Sequence, residues 1–144
     1  MTVLPDVNIW LALALSGHQH HRAARSWLDG VDAPVRFCRA TQQALLRLLT
    51  TKAVLAPFGN DPLTNEQAWA VYDAFLGDDR IEAPTGEPAG VESTWAALVC
   101  VATASPKLWM DAYLAAYAIR SGSQLVTVDG AFARFEGLDL LVLP

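Results

Sequence analysis

Thr2-Val3-Leu4-Pro5-Asp6-Val7-Asn8-Ile9-Trp10-Leu11-Ala12-Leu13-Ala14-Leu15 is the stretch that decides how this chain folds. Thr2 to Asp6 reads as a short apolar strand, with Pro5 tolerable near its end, where a missing N–H costs the ladder little. Asn8 to Leu15 continues as an apolar helix that stops at Ser16-Gly17. A strand that is apolar throughout and runs straight into a helix belongs to a sheet covered on both faces. Asp6 stands at the junction, where the ordinary task of an aspartate is to cap the helix.

The alternation continues outward. Gln19 to Leu28 has Ala23, Ala24, Trp27 and Leu28 on one helical face and stops at Gly30. Val35 to Cys38 reads as a second buried strand. Thr41 is placed to cap a third helix, in which Leu45, Leu46, Leu48 and Leu49 recur at helical spacing. Lys52 to Asn65 holds Pro57, Gly59, Asn60 and Pro62 and reads mostly as loop. Thr64 caps a helix over Glu66 to Leu76. Arg80 to Ala83 is a weak strand, Pro84 to Gly90 a loop, and Val91 to Ala104 a helix. Pro106 interrupts the chain before a strongly patterned helix from Leu108 to Ser121, ended by Gly122. Gln124 to Val128 is a strand, Asp129-Gly130 a turn, Ala131 to Phe135 a helical turn, and Leu138 to Leu143 the last strand. Strands alternating with helices predict a parallel α/β sheet in a single domain over residues 1–144. In such sheets ligands bind beyond the carboxyl ends of the strands.

Bulk composition narrows the function classes. Apolar content of 53% and five tryptophans mark a folded globule. No apolar run approaches the roughly 18 residues that span a bilayer, and the first residues show no export signal, so a cytoplasmic protein is expected. Cys38 and Cys100 have no metal-type spacing and read as free thiols. A net charge of −5 does not advertise nucleic-acid binding. Even so, lysine stands only at Lys52 and Lys107, and the remaining cations are arginines. Arginine is the planar, bidentate partner of phosphate, although exposed arginines are commonly no more than solvated helix faces.

Asp6, Asp111 and Asp129 each fall where a strand or helix begins or ends. Singly they read as a cap, a first-turn acid favoured by the helix dipole, and a turn residue. Jointly they lie at boundaries that a parallel sheet brings to one edge, and three carboxylates in one pocket point to a hard cation such as Mg²⁺ or Mn²⁺. Thr127 is two residues before Asp129 on the same strand side, and Asn8 follows Asp6 into the helix. Both are placed to hydrogen-bond the acids or the waters of a metal. His18, His20 and His21 resemble a zinc cluster, but no further ligand accompanies them, and they read as a helix-entry segment. The tryptophans read as core or interface residues.

Five ordered segments resemble one known family. Leu4 to Leu11 is similar to the opening strand and first aspartate of PIN domains, specifically of VapC-type toxins from bacterial toxin–antitoxin pairs. His21 to Leu28 resembles the second helix of those toxins, Thr41 to Thr50 their third, and Met110 to Ala118 their second aspartate motif. Leu125 to Phe132, with Arg134-Phe135, resembles their closing motif. The resemblance implies a PIN-like three-layer α/β/α fold with a central, mainly parallel sheet. It implies a metal-dependent endoribonuclease, with Mg²⁺ or Mn²⁺ on Asp6, Asp111 and Asp129, Asn8, Gln42 and Thr127 as supporting groups, and Arg47 on the RNA backbone. It also implies a homodimer silenced by a VapB-like antitoxin. Two positions depart from the family: Gln42 and Ala131 stand where further acids are common.

Two rival readings follow. With fewer acids, a PIN-like scaffold could bind antitoxin or RNA without cutting it. Phosphoaspartyl proteins also end their first strand in aspartate, but dehalogenase-like phosphatases need a second one where Asn8 stands, and receiver domains want an acidic pair where Asp6 follows Pro5.

Overall fold

The computed structural model describes residues 1–144. Its elements follow in the order β1 (Val3–Pro5), α1 (Val7–Ala14), α2 (His21–Gly30), β2 (Val35–Arg36), α3 (Arg39–Leu49), α4 (Lys52–Leu55), α5 (Asn65–Leu76), β3 (Ile81–Glu82), α6 (Val91–Val99), α7 (Leu108–Ser121), β4 (Gln124–Thr127) and β5 (Leu140–Val142). The five strands form one sheet in the order β3-β2-β1-β4-β5, and every pairing is parallel. The expected mainly parallel sheet is thus parallel throughout. No helix is long and apolar enough to cross a membrane.

The strand period of two sorts side chains into the two layers. Val3 and Val126 face a core built with α1, α2, α3 and α5, whose centre is the buried Trp10 ring stacked 3.7 Å from that of Phe37. Leu4 and Leu125, one residue along, face the opposite core under α7. There Ala112, Ala115, Ala116 and Ala118 let the helix approach the sheet closely. Gly122 ends α7 in the left-handed conformation, at φ 65°, which an L side chain would resist.

Three local expectations change, and one holds. Helix α3 begins at Arg39, not after a Thr41 cap. Cys38 holds the cap position, and the Thr41 hydroxyl reaches back, accepting from the Cys38 N–H and donating to its carbonyl. The segment after Lys52 is not mostly loop: α4 and a 3₁₀ turn over Ala56–Phe58 form because Leu55 is buried in the first core. Helix α6 stops at Val99, short of Ala104, in a stretch that remains exposed. The histidine segment leads into α2, as expected, with His20 at the cap position and His21 as the first helical residue. His18 accepts from the His20 N–H and packs on Phe58, and the His21 ring bonds the Ala12 carbonyl.

Candidate active site

Strand β1 lies beside β4 in register, with Leu4 opposite Leu125 and Pro5 opposite Val126. Their carboxyl ends therefore release Asp6 and Thr127–Asp129 at one point of the sheet edge. Asp6 caps α1: its Oδ1 accepts from the Val7 N–H at 2.7 Å. Its Oδ2 accepts from the Asn8 amide and from the Thr127 hydroxyl, each at 3.1 Å. The Thr127 oxygen in turn accepts from Asn8 Nδ2 at 3.2 Å and from the Asp129 N–H at 3.0 Å. Thr127 is fully buried, so this hydroxyl ties both strand ends together out of contact with water. The expected neighbourhood of Asn8 and Thr127 around Asp6 is present in the fold.

Asp111 comes from the first turn of α7, as its helix-dipole reading predicted. Its Oδ2 accepts from Arg134 Nη2 at 3.2 Å, and the Arg134 guanidinium sits 4.8 Å from the centre of the Phe135 ring. Asp129 caps the 3₁₀ turn Gly130–Arg134 by accepting from the Ala131 N–H at 2.9 Å. Asp6 and Asp111 line one cleft together, and Asp111 and Asp129 line a second, so Asp111 stands between the two.

The acids feel each other. Burial, reinforced by the charges of Asp111 and Asp129, pushes the Asp6 carboxyl up to about 6, against the opposing hydrogen bonds of Val7 and Thr127. Burial, with the charge of Asp129, also pushes Asp111 up, against Arg134. Charge coupling acts over a longer range than a metal–oxygen bond, and no three His, Cys, Asp or Glu side chains are grouped tightly enough to clasp an ion as they stand. The donor chemistry nonetheless suits a hard divalent cation: carboxylate oxygens only, mutually repelling, with Asp6 held partly from water.

Gln42 departs from its expected place. Its side chain is 4% exposed, its carbonyl accepts from Arg39 Nη1 at 2.6 Å, and it does not line the cleft. Helical spacing turns Ala40, Thr41, Ala44 and Arg47 of α3 towards the acids and carries Gln42 to the other side. Arg47 does lie on the cleft with Asp6 and Asp111. Ala131 lines the second cleft, in the place where a further acid was expected.

Several groups escaped the sequence reading. The first cleft, about 580 Å³, is walled by Trp95, Trp109, Met110 and Pro106. Trp109 and Met110, 52% and 63% exposed, precede Asp111 on the outward turn of α7, and Trp95 donates to the Trp109 carbonyl. Their position just before an acid at a helix start was the available signal. Lys107 and Arg134 line the second cleft and carry the only cations there.

Parallel strands in this order, with acids delivered to one edge by β1, α7 and the end of β4, define a PIN domain, and the PIN domain family model matches residues 3–138. Ribonuclease VapC41 of Mycobacterium tuberculosis is 57% identical over 143 residues, covering 98% of both chains. Ribonuclease VapC29 of the same organism is 30% identical, covering 100% of this chain and 98% of its own. This chain therefore belongs to the PIN-domain family, in its VapC branch. Among solved structures, VapBC2 from Rickettsia felis bound to a promoter DNA fragment superposes with a TM-score of 0.72 at 18% identity over all of both chains. Mycobacterium tuberculosis VapC20, a sarcin-ricin loop cleaving toxin, gives 0.68 at 19% identity over 99% of each. At those identities the two structures bear on the fold alone.

Proposed function

We propose that this protein is a metal-dependent endoribonuclease, the toxin of a VapBC-type toxin–antitoxin pair, acting in the cytoplasm as a homodimer restrained by a VapB-like antitoxin. The observation that carries the reading is the convergence of Asp6, Asp111 and Asp129 on one edge of the sheet, where burial, reinforced by the charges of the other two, raises Asp6 to about 6. Support comes from the full-length likeness to proteins named ribonuclease VapC.

Asp6, Asp111 and Asp129 would hold Mg²⁺ or Mn²⁺, which supplies an activated water and offsets phosphate charge when bound. The chain's own groups do the positioning. The Thr127 hydroxyl and the Asn8 amide fix the Asp6 carboxylate in one orientation. Orienting groups of this kind commonly matter 10–100-fold. Arg47, at the mouth of the cleft, meets the RNA backbone as a planar cation.

The decisive experiment is Asp6→Asn, assayed for Mn²⁺-dependent cleavage of RNA and for growth arrest on expression. Cleavage is expected to fall by at least about 100-fold, and unchanged cleavage sinks the assignment of Asp6 to the metal. One observation favours the rival reading, a PIN scaffold that binds antitoxin or RNA without cutting it. Ala131 and Gln42 supply no acid, and the remaining carboxylates are not drawn into a clasp. Calorimetric titration with Mn²⁺ separates the two: normal folding without binding at millimolar metal selects the scaffold.

A further inference from the structure

Arg134 is paired unlike the structural arginines of this protein. Arg80 grips Asp78 through two nitrogens, at 2.8 and 3.1 Å, and donates to the carbonyls of Leu28 and Val31. Arg36 and Glu82 join neighbouring strands at 2.9 Å. Arg134 makes one hydrogen bond, the 3.2 Å contact to Asp111, and leaves its other N–H groups free. Both partners are well exposed, at 45% and 38%, so the pair is weak and easily exchanged. The guanidinium lies over the face of Phe135, which is buried beside Phe132, so its plane is supported while its remaining N–H groups stay open to another acceptor.

The surroundings define where it moves. Arg134 and Lys107 are the two cations of a polar groove of about 710 Å³ that also holds Thr103, Ser105, Asp111 and Asp129. Ala131 adds no acid to that groove, so the carboxylates available to Arg134 there belong to the cluster itself. A divalent cation on Asp111 would repel the guanidinium from the same oxygen. The freed fork would keep its place beside Lys107, Thr103 and Ser105, donors that suit a phosphodiester once the cation has offset the charge of Asp111 and Asp129.

We propose that Arg134 is an exchangeable counter-ion: it occupies Asp111 in the metal-free protein, yields that carboxylate to the divalent cation, and then holds an RNA phosphate in the groove beside it. The phosphate step rests on the ribonuclease reading, whereas the exchange with metal does not.

The test titrates Mn²⁺ calorimetrically into wild type, R134Q, R134K and K107Q without RNA. R134Q is expected to bind Mn²⁺ about three- to fivefold more tightly, the range open to an exposed ion pair. R134K, which keeps the charge, stays near wild type. K107Q removes a cation from the same groove without touching Asp111, and is expected to change affinity less than R134Q does. Unchanged or weaker binding by R134Q overturns the proposal, as does equal tightening in K107Q, which would mark a general field effect. Affinity for a short phosphorothioate RNA in Mn²⁺, followed against salt, tests the second step. R134Q should flatten the logarithmic slope by about one, and an unaltered slope removes the phosphate role. If wild type cuts no RNA, the nuclease reading falls while the Mn²⁺ comparison still decides the exchange.

Discussion

Asp6 and Asp111 share a cleft but are held in opposite ways. Asp6 is enclosed, accepts three hydrogen bonds from Val7, Asn8 and Thr127, and has no cation against it. Asp111 is open to solvent, with Arg134 as its partner. The first carboxylate is fixed in place at a cost in folding free energy, and the second is lightly held and free to change partners. On the metal-binding reading proposed above, the first would serve as a rigid anchor and the second as the carboxylate that changes partner.

That contrast can be broken by substitution. The largest effect is expected at Asp6. Its folded carboxyl is raised from 3.8 to about 6, so the ionised form is disfavoured in the folded state, and metal-free stability falls as pH rises between those values. Asp6→Asn removes the penalty while keeping a competent helix cap. It should stabilise the protein by at most about 3 kcal/mol above pH 6.5 and by nothing below pH 4. Thermal melts in EDTA across that range measure it, and a pH-independent difference would show that the carboxylate is not strained. Thr127→Val comes next. It strips a buried hydroxyl from Asp6, Asn8 and the Asp129 N–H, and should destabilise by about 1–3 kcal/mol in denaturant unfolding at pH 7. A neutral result would mean that the two strand ends are not tied by this oxygen. Asp111→Asn should change stability by less than about 1 kcal/mol, because its pair is exposed. A larger loss would place Arg134 among the structural arginines and erase the difference between the two acids.

The sequence carried the frame and the acids for the same reason. Strand β1 and the Leu125-Val126 centre of β4 are buried on both faces and so are apolar, and an acid at the end of such a strand has few places to go. Asp6, Asn8, Thr127 and Asp129 were legible because each lies within three residues of a strand end. The rest depended on rotation about helix α3 and on surface pairing. Gln42 and Thr41 are adjacent in the chain, yet the turn of about 100° between them puts only Thr41 on the cleft, and the start of that helix is set by Cys38, a residue with little capping preference. Arg134 was visible inside a motif, yet its partner lies 23 positions away across the fold. Trp10 and Trp109 have the same chemistry and opposite exposures, which only the packing of α1 under the sheet and the outward first turn of α7 decide.

The central place of β1 in the sheet has a consequence for biosynthesis. Its neighbour β4 is made long after it, and the hydrogen bond between Thr127 and Asp6 spans 121 positions. Domains fold as units as the chain emerges, and pairing of such distant segments is slow. A nascent chain that has exposed everything up to Gly122 carries Asp6 and Asp111 but lacks the strand that aligns them. The acid cluster therefore comes into being only once β4 has emerged and paired with β1.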